Sequence, residues 1–171
     1  MKWKSHRQKA RVDSVTDGLT GVYNRKALDS HIDALVERNT WTPTDFAILM
    51  VDIDDFKSIN DTYGHQMGDF VLNRLASIIN ASKRPEDVFA RYGGEEFTII
   101  LPETNANEAL TVAERLRSAV EAKQFTPSAD QVGVTISIGV TEYLKDESKS
   151  DFVHRADQAM YQSKDTGRNS V

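Results

Sequence analysis

Residues 91–97, RYGGEEF, place two glycines directly before two glutamates, and the apolar run FTIIL (97–101) follows at once. A glycine pair between two strand-like segments is typical of a tight hairpin turn. Two adjacent carboxylates at the start of a buried strand are less usual, because a carboxylate is costly to desolvate without a partner. The stretch therefore predicts a β-hairpin with Glu95 and Glu96 near its tip, and it predicts a partner for these acids.

Helical and strand-like patterns alternate along the rest of the chain. Asn24 is placed to cap a helix that runs to about Arg38. Further helices are predicted over 67–79, 105–121 and 150–164, and strands over 46–51, 88–92, 96–101 and 132–140. This α-β-α-β-β-α-β-α order predicts one sheet covered by helices, an α/β (α+β) fold.

Composition is that of an ordinary globular protein. The 171 residues are 39% hydrophobic and 27% charged, which predicts one domain with a substantial core. The absence of cysteine excludes disulfides and cysteine-based zinc sites. No stretch approaches the length of a membrane span, and the basic start lacks the apolar segment of a signal peptide. We therefore expect a cytoplasmic protein, attached to a membrane or sensor module only through segments outside this sequence.

The net charge of −5 is unevenly distributed. Residues 1–11 contain five Lys or Arg and no acid, so residues 12–171 carry 16 basic and 26 acidic residues, a net charge of −10. That acidic balance argues against a nucleic-acid partner, although it does not exclude a nucleotide substrate. We interpret 1–11 as a basic linker or the end of an upstream helix, with a solvated tail as the alternative, and 12–171 as the domain.

A second acidic cluster lies in VDIDDFKSINDTYGHQMGD (51–69). Its alternating acids resemble part of an EF-hand calcium loop. Phe56 and Lys57 occupy places where that loop needs an oxygen ligand and a glycine, so the EF-hand is excluded.

The two acidic clusters converge if their strands are neighbours. Asp52 ends one predicted strand, and Glu95 precedes another. Hard oxygen ligands beside a turn that opens a helix suit Mg²⁺ with bound phosphates. The pattern leaves an alternative open, in which Asp54 or Asp55 only caps the following helix.

The motifs together resemble the GGDEF family of diguanylate cyclases. They are DGLTGVYNR (17–25), VDIDDFKSINDTYGHQMGD, RYGGEEF, VTISIGV (134–140) and ADQAMYQSKDTGRN (156–169), in the family's order over about residues 12–170. GGEEF is a common active form of the name motif. Val22 stands where leucine is usual, which should not affect the chemistry.

The resemblance implies a fold and an activity. The fold would be a central mixed sheet of about five strands wrapped by helices, like nucleotidyl cyclases and polymerase palms. The activity would condense two GTP molecules into cyclic di-GMP and release two pyrophosphates, with one GTP on each of two facing domains. A homodimer is therefore expected, with an upstream sensory domain outside this chain. The alternative is a catalytically silent domain that acts as a receptor for GTP or cyclic di-GMP.

The resemblance also assigns catalytic and metal-binding residues. Asp52, Glu95 and the backbone carbonyl of Ile53 would hold Mg²⁺ or Mn²⁺. Glu96 would assist through the metal site or by helping to deprotonate the ribose 3′-hydroxyl. Which glutamate is the general base is left open.

Substrate-binding positions follow in the same way. Asn60 and Asp69 would read guanine, with His65 beside them. The remaining positions would lie along the phosphates: the backbone of Asp55 and Phe56, the side chains of Lys57, Lys164 and Arg168, and the close-approach glycines Gly93 and Gly94. For the two cations near Gly167 the sequence alone favours a simpler role at a helix C-terminus.

The segment RPED (84–87) is either a polar turn or a regulatory site. Many family members carry an RxxD motif at this distance from GGEEF as an inhibitory product site. Arg84 and Asp87 would then bind cyclic di-GMP, with Arg115 as a second arginine.

Overall fold

The computed structural model describes residues 15–125 and 132–171. The helices are α1 (Arg25–Trp41), α2 (Phe56–Tyr63), α3 (His65–Ser82), α4 (Ala106–Glu121) and α5 (Lys149–Asp165). The strands are β1 (Phe46–Ile53), β2 (Val88–Arg91), β3 (Glu96–Pro102), β4 (Gln124–Phe125), β5 (Val132–Gly133) and β6 (Ile136–Glu142). The predicted basic linker at 1–11 lies outside the described residues.

The central sheet has the strand order β2-β3-β1-β6, and each of these pairings is antiparallel. A separate two-stranded sheet joins β4 to β5. The predicted α/β class is confirmed. Two details differ from the expectation of one mixed sheet of about five strands: the described central sheet has four strands, and its parallel element is one bridge between Tyr23 and Ala90.

Strand β1 explains the layered core. All eight of its residues are buried, and alternate side chains face opposite sides of the sheet. Leu49 and Val51 belong to a cluster that includes residues of α3 and α4, whereas Ile48 and Met50 belong to a cluster with α1 and α5. A strand covered by helices on both faces reads as a continuous apolar run, as observed in 46–51.

Two predicted elements are corrected by the structure. The helix predicted over 67–79 is preceded by a separate helix α2, because Gly64 adopts φ 90° and ends α2 by donating to the Asn60 carbonyl. The strand predicted over 132–140 is two strands, β5 and β6, that belong to different sheets.

Helix α1 confirms the predicted cap at Asn24, and α4 has a cap that the sequence analysis did not predict. The Asn24 side chain accepts from the Ala27 N–H at 2.9 Å at the start of α1. Asn105 and Glu108 form a reciprocal capping box on α4. Within the described residues, no helix combines the length and the hydropathy that crossing a membrane requires.

Candidate active site

The acidic clusters meet where β1 ends and β3 begins. Asp52 lies opposite Glu96 in the antiparallel register, and the Ile53 N–H donates to the Glu95 carbonyl at 3.3 Å. The condition set by the sequence, that these two strands be neighbours, is met. Three carboxylates therefore share one end of the sheet.

The positive charge near these three carboxylates does not balance their negative charges. The Lys164 ammonium, brought by α5, lies 2.7 Å from Asp52 Oδ1. Burial nevertheless raises the pKa of Asp52. Burial and the Asp52 charge raise the pKa values of Glu95 and Glu96 as well. A site that disfavours its own negative charges is suited to a further cation.

The oxygen atoms of the protein would hold a hard cation only together with oxygens from another molecule. In residues 15–125 and 132–171, no group of three or more His, Cys, Asp or Glu side chains is arranged to hold a metal ion. Asp52 and Glu95 with the Ile53 carbonyl would therefore need oxygens from a bound substrate or from water. That is the usual coordination of Mg²⁺ at a nucleotide site.

Asp54 has a structural role that differs from helix capping. Its side chain is buried and accepts from Thr135 Oγ1 at 2.7 Å, from Ser137 Oγ at 2.6 Å and from the Asn169 N–H at 2.9 Å. Asp55 occupies the N-cap position of α2, but its side chain makes no capping hydrogen bond. Neither aspartate is therefore the side-chain cap that the alternative interpretation proposed.

The glycine pair turns the hairpin without a conformational need for glycine. Neither Gly93 nor Gly94 has φ in the left-handed region. A Cβ built on Gly93 would meet only Glu96 Oε2 at 3.9 Å, and one on Gly94 would meet nothing within 4 Å. The protein itself therefore leaves room for a side chain at both positions.

Arg91 holds this turn and was missed by the sequence analysis. Its guanidinium donates to the carbonyls of Gly93 at 3.1 Å and Gly94 at 2.7 Å. Its Nη1 donates to Asp17 Oδ1 at 3.2 Å, and Asp17 also accepts from the Thr20 hydroxyl. The DGLTG motif is thereby joined to the hairpin tip.

The predicted guanine-reading residues lie at the junction of α2 and α3. A Cβ on Gly68 would lie 1.9 Å from Asn60 Oδ1, so the Asn60 side chain occupies the space over Gly68. Asp69 follows Gly68, and His65 is four residues earlier on the same face of α3. Both are exposed. The structure thus brings these positions to one surface.

The predicted phosphate-binding residues separate into two groups. Lys164 contacts Asp52, and Arg168 Nε lies 3.6 Å from Asp55 Oδ1 at the opening of α2. Lys57 instead pairs with Asp61 at 3.8 Å on the exposed side of α2, with 91% of its side chain accessible. The structure therefore places Lys164 beside the three carboxylates and Arg168 at the opening of α2, and it gives Lys57 a surface pair.

The family profile described as "Diguanylate cyclase, GGDEF domain" matches residues 14–170. The chain belongs to this family. It is 53% identical over 126 residues to diguanylate cyclase A of Treponema denticola, covering 73% of this chain and 34% of that protein. It is 42% identical over 161 residues to the response regulator PleD of Caulobacter vibrioides, covering 92% and 36%. The chain thus spans about a third of the length of these relatives.

Solved structures agree with the GGDEF fold. The coiled coil and GGDEF domain of DgcB from Caulobacter crescentus, in complex with c-di-GMP, superposes with a TM-score of 0.94 at 36% identity. The alignment covers 99% of this chain and 91% of that one. The layout of sheet and helices described above is therefore that of a GGDEF domain.

The RxxD segment of this GGDEF domain is folded upon itself. The Arg84 Nη2 donates to Asp87 Oδ1 at 2.8 Å, to the Pro102 carbonyl at 3.1 Å and to Thr104 Oγ1 at 3.0 Å. The Arg84 N–H donates to Asp87 Oδ2 at 2.9 Å. The Asp87 side chain is 3% exposed, whereas that of Arg84 is 41% exposed. Asp87 therefore holds the turn and Arg84.

Arg115 lies on the helix that borders Arg84. The Glu108 charge contributes to raising the pKa of Arg84, after the larger effect of its hydrogen bond to Asp87. Arg115 is seven residues beyond Glu108, on the same face of α4, and is exposed. Arg115 thus shares a face of α4 with Glu108, whose charge acts on Arg84.

Glu96 also borders a cavity that the sequence gave no reason to expect. The cavity has a volume of about 540 Å³, and its lining includes Arg25, Tyr92 and Asp157 besides Glu96. The Asp157 charge contributes to the raised pKa of Glu96, after burial and the Asp52 charge. One carboxylate of the site is therefore open to solvent space beside the hairpin.

Proposed function

We propose that this GGDEF domain condenses two GTP molecules into cyclic di-GMP with release of two pyrophosphates. The observation that carries the proposal is the meeting of Asp52 with Glu95 and Glu96, beside two glycines that the protein's own conformation does not require. The relatives named diguanylate cyclases support the same reaction.

Each half of the reaction transfers one nucleotidyl group. The 3′-hydroxyl oxygen of one GTP forms a bond to the α-phosphorus of the other, and the bond from that phosphorus to the β-phosphate oxygen breaks. The hydroxyl proton passes to a base, for which Glu95 and Glu96 are the candidates. Repeating the step with the roles exchanged closes the ring.

Asp52, Glu95 and the Ile53 carbonyl would hold Mg²⁺ or Mn²⁺. The bound cation would supply charge neutralisation at the phosphates and activation of the attacking oxygen. Lys164 and Arg168 would bind the terminal phosphates together with the first backbone N–H groups of α2, which have no side-chain cap. The charge of the leaving pyrophosphate would thus be balanced by protein groups.

Guanine would be read at the junction of α2 and α3. Asp69 can accept from the guanine N1–H and 2-amino group, whereas Asn60 can both donate and accept. Adenine lacks the 2-amino group and presents an acceptor at N1, so ATP would leave the carboxylate unpaired. His65 would lie beside these groups.

Incubating the protein with GTP and Mg²⁺, followed by chromatography and mass measurement of the product, tests the proposal. Cyclic di-GMP and pyrophosphate are expected from the wild type, and none from the Glu95→Gln variant. Binding of GTP without turnover would favour the receptor function, and a cyclic mononucleotide product would refute the proposal.

Product inhibition is the regulatory part of the proposal. The exposed guanidinium of Arg84 and that of Arg115 would bind cyclic di-GMP, while Asp87 positions Arg84. The DgcB structure contains c-di-GMP, which supports a product site in this family. Arg84→Ala should relieve inhibition by added cyclic di-GMP and preserve initial turnover. Equal inhibition of both proteins would remove this site from the proposal.

The reaction requires a second copy of the domain, because each copy holds one GTP. We therefore propose a catalytic homodimer, with turnover that rises more steeply than linearly with protein concentration. An upstream sensory module and a cytoplasmic location stay predictions from the sequence.

A further inference from the structure

The backbone around Arg168 is held in an uncommon conformation. Gly167, Arg168 and Asn169 have φ values of 124°, 64° and 45°. Left-handed conformations are unfavourable for residues with a side chain, although Asn tolerates them better than most. Two such residues in succession persist only where the surroundings fix them.

Asn169 is fixed by three partners from two other parts of the fold. Its N–H donates to Asp54 Oδ2 at 2.9 Å, and its Nδ2 donates to Glu121 Oε1 at 3.0 Å. Its Oδ1 accepts from Arg117 Nη1 at 2.7 Å. The contacts therefore use both functional atoms of the side chain as well as the backbone N–H.

Arg117 and Glu121 lie one turn apart on α4 and also bind each other. Arg117 Nη1 lies 2.6 Å from Glu121 Oε2, and its Nη2 lies 2.7 Å from Glu114 Oε1. These hydrogen bonds raise the pKa of Arg117, so its charge is permanent. The Arg117 side chain is only 15% exposed, whereas those of the two glutamates are about half exposed. The Arg117 side chain is thus held in one position on α4.

We propose that Arg117 and Glu121 are positioning residues for phosphate binding, acting through Asn169 on Arg168. By holding Asn169 they fix the backbone of the preceding residue. That backbone conformation determines the direction in which the Arg168 side chain extends. That guanidinium lies beside Asp55 at the opening of α2. The inference rests on the proposed function, in which Arg168 binds the terminal phosphates of GTP.

Glu114 provides a matched control on the same helix. It binds Arg117 as Glu121 does, but in the described part of the chain Asn169 donates to Glu121 and not to Glu114. Removing Glu121 should therefore affect Arg168, whereas removing Glu114 should not. A general weakening of α4 would affect both variants alike.

The experiment measures binding of guanosine 5′-[α,β-methylene]triphosphate, which cannot react, and of GMP, which lacks the terminal phosphates. We expect Arg117→Ala and Glu121→Ala each to weaken triphosphate binding about 10-fold, the effect of one charge-assisted contact. GMP binding should be unchanged, and Glu114→Ala should bind both ligands like the wild type. In the Arg168→Ala background, Arg117→Ala should have no further effect.

Two results overturn the inference. One is wild-type triphosphate affinity in Glu121→Ala, which decides the matter even if Arg117→Ala fails to fold. The other is an equal loss of GMP and triphosphate binding, which would show that the contacts only anchor the C-terminal segment. If the wild type itself fails to bind the triphosphate, the proposed function fails instead.

Discussion

Changing Gly68 to alanine should separate substrate recognition from stability. The new Cβ would lie 1.9 Å from Asn60 Oδ1, whereas ordinary contacts begin near 3.4 Å. The amide must therefore retreat by about 1.5 Å, which is enough to break a hydrogen bond of ordinary length to guanine. Because the obstacle is the end of a flexible side chain, the protein can accommodate the methyl group by moving Asn60.

The magnitudes predict weaker nucleotide binding with little change in the stability of the fold. Losing two hydrogen bonds from Asn60 to the base would cost about 1–3 kcal/mol, or about 5- to 150-fold in affinity. In a helix interior, alanine is favoured over glycine by about 1 kcal/mol, which offsets the strain of moving Asn60. A smaller contact, with Phe56 Cζ at 3.2 Å, opposes this gain. We expect the free energy of unfolding to change by less than about 1 kcal/mol.

Calorimetric titration with the unreactive GTP analogue and thermal unfolding without ligand measure the two quantities. Gly139→Ala is the matched control, because its Cβ would meet the Ala156 carbonyl at 2.2 Å and the Met160 N at 2.3 Å. These are backbone atoms of α5 and cannot retreat separately. Overpacking there should cost about 1–3 kcal/mol and lower Tm by about 2–12 °C. The reasoning is refuted if Gly68→Ala binds the analogue like the wild type, or if it loses as much Tm as Gly139→Ala.

Two other predictions concern the acids and the hairpin turn. Burial and the Asp52 charge raise the pKa of Glu95 above its ordinary 4.5, so the metal-free folded state holds a proton that the unfolded chain releases. Stability should therefore fall as the pH rises from about 4.5 through the raised pKa of Glu95. Glu95→Gln should reduce that fall, measured as the free energy of unfolding in urea titrations at several pH values. An unchanged dependence of stability on pH in the variant would contradict the prediction. Arg91→Ala frees the Gly94 carbonyl, and a shift of about 1 Å in the turn could lower kcat up to about 100-fold. The exposed Arg74→Ala should keep wild-type kcat in the same assay, and equal kcat in the Arg91 variant would argue against a role for the turn.

Local sequence patterns predicted the elements that are determined by residues close together in the sequence. The run 46–51 was recognised as a strand buried on both faces, and RYGGEEF as a hairpin tip, because both signals lie within a few residues. The break between α2 and α3 was missed, although Gly64 was visible. Apolar spacing marks a helix face, but it does not show where a left-handed glycine ends one helix and begins another.

The missed site residues depend on contacts between distant positions. Arg91 meets Asp17 across 74 positions in the sequence, and Asn169 meets Asp54 across 115. Their local sequence does not mark them: Arg91 has the type and spacing of an ordinary surface arginine, and Asn169 lies in the segment that follows the end of a helix. Asp17 reaches Arg91 because Tyr23 bridges to Ala90 of β2. Asn169 reaches Asp54 because the Ile138 N–H of β6 donates to the Ser170 carbonyl and β6 pairs with β1. The resemblance supplied the ligand-facing residues, and the fold was needed to find those that hold them.

The rigidity of the sheet would favour the cation site that we propose at the acidic cluster. Asp52 and Glu96 are opposite each other because β1 and β3 pair along seven residues, so their repulsion cannot relax by separation of the backbones. Lys164 reduces the repulsion by contacting Asp52, yet the pKa of Asp52 stays raised. A divalent ion bound at the proposed site would therefore meet carboxylates that are already close together, and it would relieve a repulsion that strand pairing imposes. A carboxylate cluster on a mobile loop would instead disperse in the absence of the ion, and its ordering would oppose binding.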